Sequence, residues 1–554
     1  MSIGAEILSL IMFATVCGVL LLGFPVAFSL AGTALIFAFI GDAFGVFDMR
    51  LMGGLASRFF GVMVNEVLVA VPLFVFMGVM LERAKIAEQL LETMGLLFGR
   101  MRGGLGLSVI FVGMLLAAST GIVGATVVTM GLLSLPTMLK AGYSPKLAAG
   151  TICASGTLGQ IIPPSIVLVL LGDILQGAYA EAQRAIGNWA PEPVSVIDLF
   201  AGAFLPGMLL VVLYMGHVVL KSLIDPHSAP ALVAKDEIVE GLGWRIASVL
   251  APPAILILAV LGSILAGAAT PTEAAAVGSV GALLLAGRAA APPAGRSDQR
   301  GRPVGPQKRT LAGSRAFGRL RETQSSWPIH LAGLCIIGQI VLTSVFDLRM
   351  QRGGVSASDL AAFVAALAMS VGILWGLLVA LWRLAAAGVL RDVMRSTVRI
   401  SSMVFVILLG ASVFSLVFRG FGGDVLVADL LTGLPGGSFG AMLVVMLVMF
   451  LLGFFLDFIE IIFVVVPIVG PILLQMDIHP VWFGVMIAIN LQTSFLTPPF
   501  GFALFYLRGV APPQIATMDI YRGIVPFVVI QLIALAIVAA FPGLATWLPS
   551  VLFR

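Results

Sequence analysis

PKLAAGTICASGTLGQIIPPSIVLVLLGDIL, residues 145–175, guides the interpretation of the whole chain. It is apolar at both ends, and Gly159 and the pair Pro163-Pro164 interrupt it near the middle. A continuous helix of this length would measure about 46 Å, whereas the hydrocarbon core of a bilayer is about 30 Å thick. Because proline lacks an amide hydrogen, the Pro-Pro pair leaves two carbonyl groups without helical partners. We therefore predict a discontinuous membrane helix over residues 146–176.

The same arrangement recurs later in the chain as PVWFGVMIAINLQTSFLTPPFGFALFYL, which predicts a second discontinuous helix over residues 481–508. A shift of 335 residues aligns four prolines with four others. The pairs are Pro136 with Pro471, Pro145 with Pro480, Pro163 with Pro498 and Pro164 with Pro499. Paired interrupted helices in two halves indicate the binding site of a secondary transporter. A proline-kinked helix without a ligand is the alternative for either copy alone.

The composition predicts an all-α polytopic membrane protein. Of 554 residues, 60% are hydrophobic and 10% are charged, whereas a soluble domain carries about 25% charged residues. The basic residues cluster between apolar runs, so the chain shows no surface suited to nucleic acid. Three cysteines stand singly in apolar runs, without metal-ligand spacing or a disulfide pattern. We expect no cofactor and no structural metal.

Each half also contains two short apolar arms around a polar tip. Arms 104–118 and 127–139 flank the tip 119–126. In the second half, arms 441–456 and 461–474 flank the tip 457–460. Such arms are too short to cross a bilayer comfortably, so each set predicts a re-entrant hairpin. Two tightly turned full spans in a thinned bilayer are the alternative.

A basic segment divides the chain. Residues 288–328 contain nine Lys or Arg against Asp298 and Glu322, and the positive-inside rule predicts a cytoplasmic loop there. The first half is then 1–287, and the second half is 329–554, with one or more extra spans.

Motifs for other functions are absent from the sequence. There is no G-x-x-x-x-G-K-[ST] sequence for ATP hydrolysis, and the four histidines are scattered without a metalloprotease motif. A serine or aspartyl intramembrane enzyme would need a base or a second aspartate in a recognisable motif, and neither is visible. We expect no catalytic residues.

Several segments resemble the large membrane subunit of tripartite ATP-independent periplasmic (TRAP) transporters. They are GFPVAFSLAG at 23–32, VPLFVFMG at 71–78, AGYSP at 141–145, GTLGQIIPPS at 156–165, TPTEAAAVG at 270–278 and FLTPPFG at 495–501. The resemblance implies an elevator-type, Na⁺-driven importer of organic acids in the bacterial inner membrane. It also implies a small four-helix membrane subunit and a periplasmic substrate-binding protein as partners. The alternatives are a stand-alone carboxylate symporter coupled to Na⁺ or H⁺, and a membrane-embedded enzyme or structural subunit.

Hydroxyls, amides and freed carbonyls crowd the tips and breaks, and hard oxygen donors suit a small alkali cation. The first-half candidates for Na⁺ are Ser119, Thr120, Gly121, Ser155, Thr157, Gly159 and Pro163. The second-half candidates are Asp457, Asn490, Thr493, Ser494, Thr497 and Pro498. Candidates for lining the substrate site are Thr126, Gln160, Ser165, Thr272, Glu273, Glu460 and Gln492.

Three acidic candidates have a second interpretation. Asp457 and Glu460 are intramembrane acids and could carry protons, or Asp457 could cap the helix that follows it. Thr270 and Glu273 have the spacing of a capping box, which explains both residues without a ligand. The sequence leaves these alternatives open.

Overall fold

The computed structural model describes residues 3–84, 86–231, 242–290, 326–346 and 357–553, and within these ranges the chain forms helices, turns and no strand. Short 3₁₀ segments occur at 49–54, 67–69 and 158–160. The helices before the basic segment are α1 (Ile3–Leu21), α2 (Val26–Ala43), α3 (Leu55–Met63), α4 (Ala70–Arg83), α5 (Ile86–Phe98), α6 (Gly104–Thr120), α7 (Val123–Lys140), α8 (Pro145–Thr157), α9 (Ile166–Ala185), α10 (Val196–Ile224), α11 (Leu242–Leu265) and α12 (Pro271–Ala289).

Eleven further helices follow the basic segment. They are α13 (Trp327–Val345), α14 (Ala357–Ala386), α15 (Val389–Gly420), α16 (Gly423–Thr432), α17 (Gly437–Leu452), α18 (Phe458–Val464), α19 (Val466–Gln475), α20 (Pro480–Leu496), α21 (Phe502–Val510), α22 (Thr517–Ala540) and α23 (Gly543–Leu552). Within the described ranges, nine helices are long and apolar enough to cross a membrane. The predicted class, an all-α polytopic membrane protein, is confirmed.

Helix α22 shows that α8 and α20 start at opposite ends of the bundle. Near one end of α22, the glycine Gly523 lies against the backbone of Lys146 at the start of α8. Near the other end, the carbonyl of Val538 accepts a hydrogen bond of 2.8 Å from Nε1 of Trp482, at the start of α20. These two positions are about 22 Å apart along a helix. The two discontinuous helices therefore enter from opposite faces and run toward each other.

Helix α10 shows independently that the first hairpin and α20 start at opposite ends of the bundle. Its residue Gly202 lies against Val481 of α20. Sixteen positions later, Val218 lies against Gly103 and Gly106 at the start of α6. The α6–α7 hairpin is fixed at this second end, where Gly103 and Ser144 each donate a backbone hydrogen bond of 2.9 Å to the turn formed by residues 228 and 229. Both ends of the hairpin are thus held at the face where α8 begins.

Helices α12 and α14 each have an arginine in the last turn, Arg288 and Arg383 respectively, and these two helix ends lie together at one face of the bundle. Gly287 near the end of α12 lies against Ala380 of α14, and Trp327 at the start of α13 meets Trp375 edge-on at 5.2 Å. Most of the predicted cytoplasmic loop, from residue 291 to residue 325, lies outside the described residues. Helices α13 and α14, which follow this segment, pack together and against α12.

The hairpin tips differ in extent from the sequence prediction. In the first hairpin, residues 119 and 120 end α6 and residues 123–126 begin α7, so only Gly121 and Ile122 lie between the helices. Gly121 makes this tight turn possible because it has a φ of +59°. In the second hairpin the turn is residues 453–457, and residues 458–460 are already the first turn of α18. The returning arm is bent by 56° between α18 and α19.

Candidate functional site

The two discontinuous helices meet at their inner ends. Nε2 of Gln492 on α20 lies 3.3 Å from Oγ1 of Thr157 on α8, to which it donates a hydrogen bond. The two residues are 335 positions apart, which is the offset that aligns the prolines. Equivalent residues of the two halves therefore contact each other directly, and both are fully buried. The other candidate residues can be placed relative to this contact.

The first hairpin tip lies on the first break. A side-chain carbon at Gly121 would lie 3.0 Å from the backbone nitrogen of Ile166, the first residue of α9. A carbon at Gly159 would lie 3.1 Å from the carbonyl oxygen of Ala117 on α6. Every residue of the break from 161 to 165, including Pro163, is buried. The tip and the break thus form one closed structure in the first half.

The polar groups of this first site are hydroxyls and an amide. Ser155 and Thr157 donate hydrogen bonds of 3.0 Å and 2.9 Å to carbonyls of their own helix, which leaves their oxygen lone pairs as acceptors. Ser165 donates to the carbonyl of Gln160 at 2.9 Å. The Gln160 side chain is fully buried, and neither of its amide atoms has a hydrogen-bond partner. A buried orphan amide at the break is suited to a bound ligand.

Thr126 is buried near the start of α7 and donates to the carbonyl of Ile122 at 3.0 Å. It therefore lies one turn beyond the tip, inside the hairpin. The backbone of Ser119 and Thr120 ends α6, while their side chains lie outside the described residues.

The second site repeats these contacts with different side chains. Nδ2 of Asn490, the residue equivalent to Ser155, donates a hydrogen bond of 2.8 Å to the carbonyl of Met446 on α17. At the hairpin turn, a side-chain carbon at Gly453 would overlap Oγ of Ser494. The hydroxyls of Thr493, Ser494 and Thr497 each donate to a carbonyl of α20 at 2.8 Å. Thr497 and Pro498 are only half-buried, because the chain opens toward the surface here.

Asp457 and Glu460 form the capping box of α18. The Asp457 carboxylate accepts a hydrogen bond of 2.7 Å from the backbone N–H of Phe458, and Glu460 accepts one of 3.1 Å from the backbone N–H of Asp457. Glu460 is buried, whereas Asp457 is half-buried. The capping interpretation of these acids is therefore correct, and it leaves further carboxylate lone pairs available for a cation.

Thr272 and Glu273 are not part of this constellation. Thr270 and Glu273 form a complete capping box at the start of α12, and Oγ1 of Thr272 donates to the carbonyl of Glu66. Glu273 is exposed, and α12 packs mainly on α4, α11 and α14 rather than on α8 or α20. Capping accounts for Glu273, and the contact with the carbonyl of Glu66 accounts for Thr272.

Two residues that the sequence reasoning missed lie beside the sites. Gly453 allows the second hairpin turn to approach Ser494, but its position within an apolar arm gave no signal. Tyr506 on α21 lies against Gly124 of α7, close to the first hairpin tip. An aromatic residue seven positions after the second Pro-Pro pair was the available signal. Among the described residues, no three His, Cys, Asp or Glu side chains form a group suited to a transition metal.

The arrangement pairs two helical hairpins with two discontinuous helices. A family model described as "Tripartite ATP-independent periplasmic transporter, DctM component" matches residues 13–292 and 312–544. The chain belongs to this family. The TRAP permease resemblance noted in the sequence is thereby confirmed, and the chain is a multi-pass protein of the bacterial inner membrane.

Relatives of this TRAP permease carry different substrate names. It is 26% identical to the C4-dicarboxylate TRAP transporter large permease protein DctM of Vibrio cholerae, over 98% of this chain and 97% of the relative. It is 24% identical to the sialic acid TRAP transporter large permease protein SiaM of the same organism, over 96% of this chain and 96% of the relative. The Alcanivorax borkumensis YdaH transporter, a solved structure, is 14% identical with a TM-score of 0.49, over 91% of this chain and 89% of that one. The two Vibrio cholerae relatives are named as transporter permease proteins and not as enzymes.

Proposed function

We propose that this TRAP permease imports an organic acid together with Na⁺. The observation that carries the proposal is the stretch from Ser155 to Ser165, where buried hydroxyls and an orphan amide lie at the first break without a titratable side chain. Neutral oxygen donors of this kind suit Na⁺ rather than a proton. Asp457, Asn490, Thr493, Ser494 and Thr497 supply the second set of ligands.

A carboxylate substrate is supported by the helices that begin at the breaks. Helices α9 and α21 both start just after a Pro-Pro pair, so their amino ends lie beside the ion-binding residues. The amino end of a helix carries partial positive charge and attracts anions. Gln160, Ser165, Thr126 and Gln492 then line the substrate site together with Glu460.

The partners follow from the family. We propose that a periplasmic substrate-binding protein delivers the organic acid and that a small four-helix membrane subunit completes the membrane complex. Two relatives are named for C4-dicarboxylate and sialic acid, so the acid itself is to be identified by assay.

The test is uptake into proteoliposomes that contain the permease and the small subunit. We expect uptake only when an inward Na⁺ gradient and the binding protein are both present. Uptake without the binding protein would identify a stand-alone symporter, and uptake driven by a proton gradient in Na⁺-free buffer would contradict the Na⁺ proposal. C4-dicarboxylates and sialic acid are the first substrates to compare.

We further propose that α6–α9 and α17–α21 move as one transport unit against a framework of α1–α4 and α11–α15. Within the framework, α2 packs on α15 and α4 packs on α12. Among the described residues, Arg419 on α15 donates a hydrogen bond of 3.0 Å to the carbonyl of Pro467 on α19, and three pairs of side chains also join the framework to the unit. They are Glu82 with Thr129 at 2.9 Å, Asn65 with Asp173 at 2.9 Å, and Arg419 with Glu181 at 2.7 and 3.1 Å.

Disulfide cross-linking tests this movement in a background without the native cysteines. The pair Glu82→Cys and Thr129→Cys ties the framework to the unit, and we expect its oxidation to block uptake. The pair Gly131→Cys and Val510→Cys, at positions that lie in contact within the unit, should leave uptake intact when oxidised. The reverse result would favour local gating at the hairpin tips.

A further inference from the structure

Four fully buried polar side chains from four helices meet where the two halves cross. Thr157 lies on α8 and Gln492 on α20, and both belong to the predicted sites. Tyr214 on α10 and Gln531 on α22 lie in helices that otherwise present long apolar stretches to the bundle. All four have an exposed fraction of 0%.

The direct hydrogen bonds in this cluster leave several polar atoms without partners. Thr157 accepts from Gln492 at 3.3 Å and donates to the carbonyl of Ala154 at 2.9 Å. The ring of Tyr214 meets that of Phe527, one turn before Gln531 on α22, edge-on with 5.3 Å between the ring centroids. Its hydroxyl lies close to the side chains of Gln531, Gln492 and Thr157 but has no direct hydrogen-bond partner. Oε1 of Gln492 and both amide atoms of Gln531 are also unsatisfied. Several unsatisfied atoms therefore lie around one point in the interior.

Buried polar groups in proteins are hydrogen-bonded, and where protein partners are missing, internal water supplies them. The unsatisfied atoms here include two acceptors, Oε1 of Gln492 and Oε1 of Gln531. They also include a donor, Nε2 of Gln531, and a hydroxyl that can do both. Water can accept and donate, whereas a cation would satisfy the oxygens and leave Nε2 of Gln531 without an acceptor. The mixture of donors and acceptors among these unsatisfied atoms therefore favours water over a cation.

We propose that Thr157, Gln492, Tyr214 and Gln531 form a binding site for internal water, and that Tyr214 and Gln531 act through it as positioning residues. Helices α10 and α22 pack against both discontinuous helices. Water bound to Tyr214 and Gln531 therefore fixes Gln492, and through it Thr157, in one relative position. Ser155 and Asn490 lie two residues earlier on the same helices, so this spacing also sets the geometry of both Na⁺ sites. In this last respect the inference rests on the proposed function.

The experiment uses Tyr214→Phe, Gln531→Met, Gln492→Met and their double combinations in the reconstituted complex. Each removes hydrogen-bonding atoms while approximately preserving volume. We expect Tyr214→Phe and Gln531→Met each to raise the Na⁺ concentration for half-maximal uptake about threefold or more, with little change in the maximal rate. Gln492→Met, which alters the proposed substrate site as well, should raise this Na⁺ concentration too, and its maximal rate is not used as a criterion. Because the variants disturb one shared water site, each double variant should cost less than the product of the two single effects. Additive effects, or an unchanged Na⁺ dependence, would overturn the proposal.

Thr151→Val is the matched control. Thr151 is a fully buried residue of α8 whose hydroxyl also lacks a hydrogen-bond partner, but it lies six residues before Thr157, about 9 Å away along the helix. The Na⁺ dependence of this variant should match that of the wild type. If Thr151→Val raises the Na⁺ concentration for half-maximal uptake as much as Gln531→Met does, the effect comes from a general change in packing. That result would overturn the positioning role of Tyr214 and Gln531.

An experimental structure that resolves ordered water provides a readout independent of transport. Density should lie between Tyr214 and Gln531 both in Na⁺ buffer and in Na⁺-free choline buffer, and it should be lost or displaced in Gln531→Met. Density present only in Na⁺ would identify an ion, and a dry cluster would exclude the site. If the Na⁺ proposal itself fails, wild-type uptake will not depend on Na⁺, whereas the water density will still decide this inference.

Discussion

The two breaks follow one backbone plan but differ in their surroundings. The first, at residues 161–165, is completely buried, and its neighbours are hydroxyls, an amide and the Gly121 tip. The second, at residues 497–501, opens to the surface, and Phe500 is 44% exposed and packs on the ring of Phe455 at 5.2 Å. The second half also carries the only intramembrane acids among the described tip and break residues, Asp457 and Glu460. Repetition therefore preserves the breaks and their mutual contact, whereas charge and exposure differ between the halves.

The largest expected effect comes from the close approach of each hairpin to its discontinuous helix. Gly453→Ala should abolish most uptake, because the new carbon would overlap Oγ of Ser494 and lie 2.7 Å from its Cβ. Gly159→Ala should retain part of the activity, because its nearest neighbour would be 3.1 Å away. Gly216→Ala on α10 is the control, since no atom lies within 4 Å of the new carbon. Equal losses of uptake in Gly453→Ala and Gly159→Ala would contradict the expected difference in crowding between the two halves.

The next effect tests the charge of the second half. Asp457→Asn keeps a side chain that caps helices about as well as aspartate but removes the negative charge. If Asp457 is a Na⁺ ligand, the Na⁺ concentration for half-maximal uptake should rise about tenfold, which corresponds to about 1.4 kcal/mol. Asp429→Asn, on the exposed surface of α16, is the matched control. Unchanged Na⁺ dependence in Asp457→Asn would assign this residue to capping alone.

A smaller effect is expected from single hydroxyls of the first half. Ser155→Ala and Thr157→Ala should each raise the half-maximal Na⁺ concentration roughly threefold to tenfold, because one neutral ligand is worth about 1 kcal/mol. Ser134→Ala, at a buried position of α7, is the control. Were both site variants to match the wild type, the backbone carbonyls of the break would be the ligands.

The smallest effect on stability should come from the ion pair between Arg419 and Glu181. Their side chains are 27% and 43% exposed, so solvent screening limits the contribution to less than about 1 kcal/mol. Glu181→Gln should therefore leave thermal unfolding almost unchanged. Because the pair joins the framework to the proposed transport unit, adding Glu181→Gln to the double variant Glu82→Cys and Thr129→Cys should change the rate at which its disulfide forms. No change in that rate would show that the pair does not influence the movement.

The sequence predicted the repeated breaks because their signal is chemical and local. Proline removes a hydrogen-bond donor in any context, so the pairs at 163 and 498 interrupt helices wherever they lie. The Thr157–Gln492 contact was not predictable, because the offset aligns the two residues without saying that the helices meet there. The second tip was predicted at residues 457–460 because Asp457 and Glu460 are polar, whereas the turn lies at residues 453–457 and Asp457 is the cap that begins α18.

Tyr214, Gln531 and Gly453 were missed for a related reason. Each is one residue within a long apolar stretch, and only packing against another helix gives it a role. Thr270 and Glu273 show the opposite case, in which a recognisable motif is explained by its own helix end. Local signals thus predict where helices begin and break, while partners in space depend on the tertiary fold.

The contact between Thr157 and Gln492 also bears on how such a chain could arise by duplication. If the halves descend from one gene whose product was inserted in both orientations and paired with itself, the residue at this position would have faced its own copy. A single substitution would then have changed both sides of the contact at once. After fusion into one chain the two positions became free to differ, and a hydroxyl could face an amide.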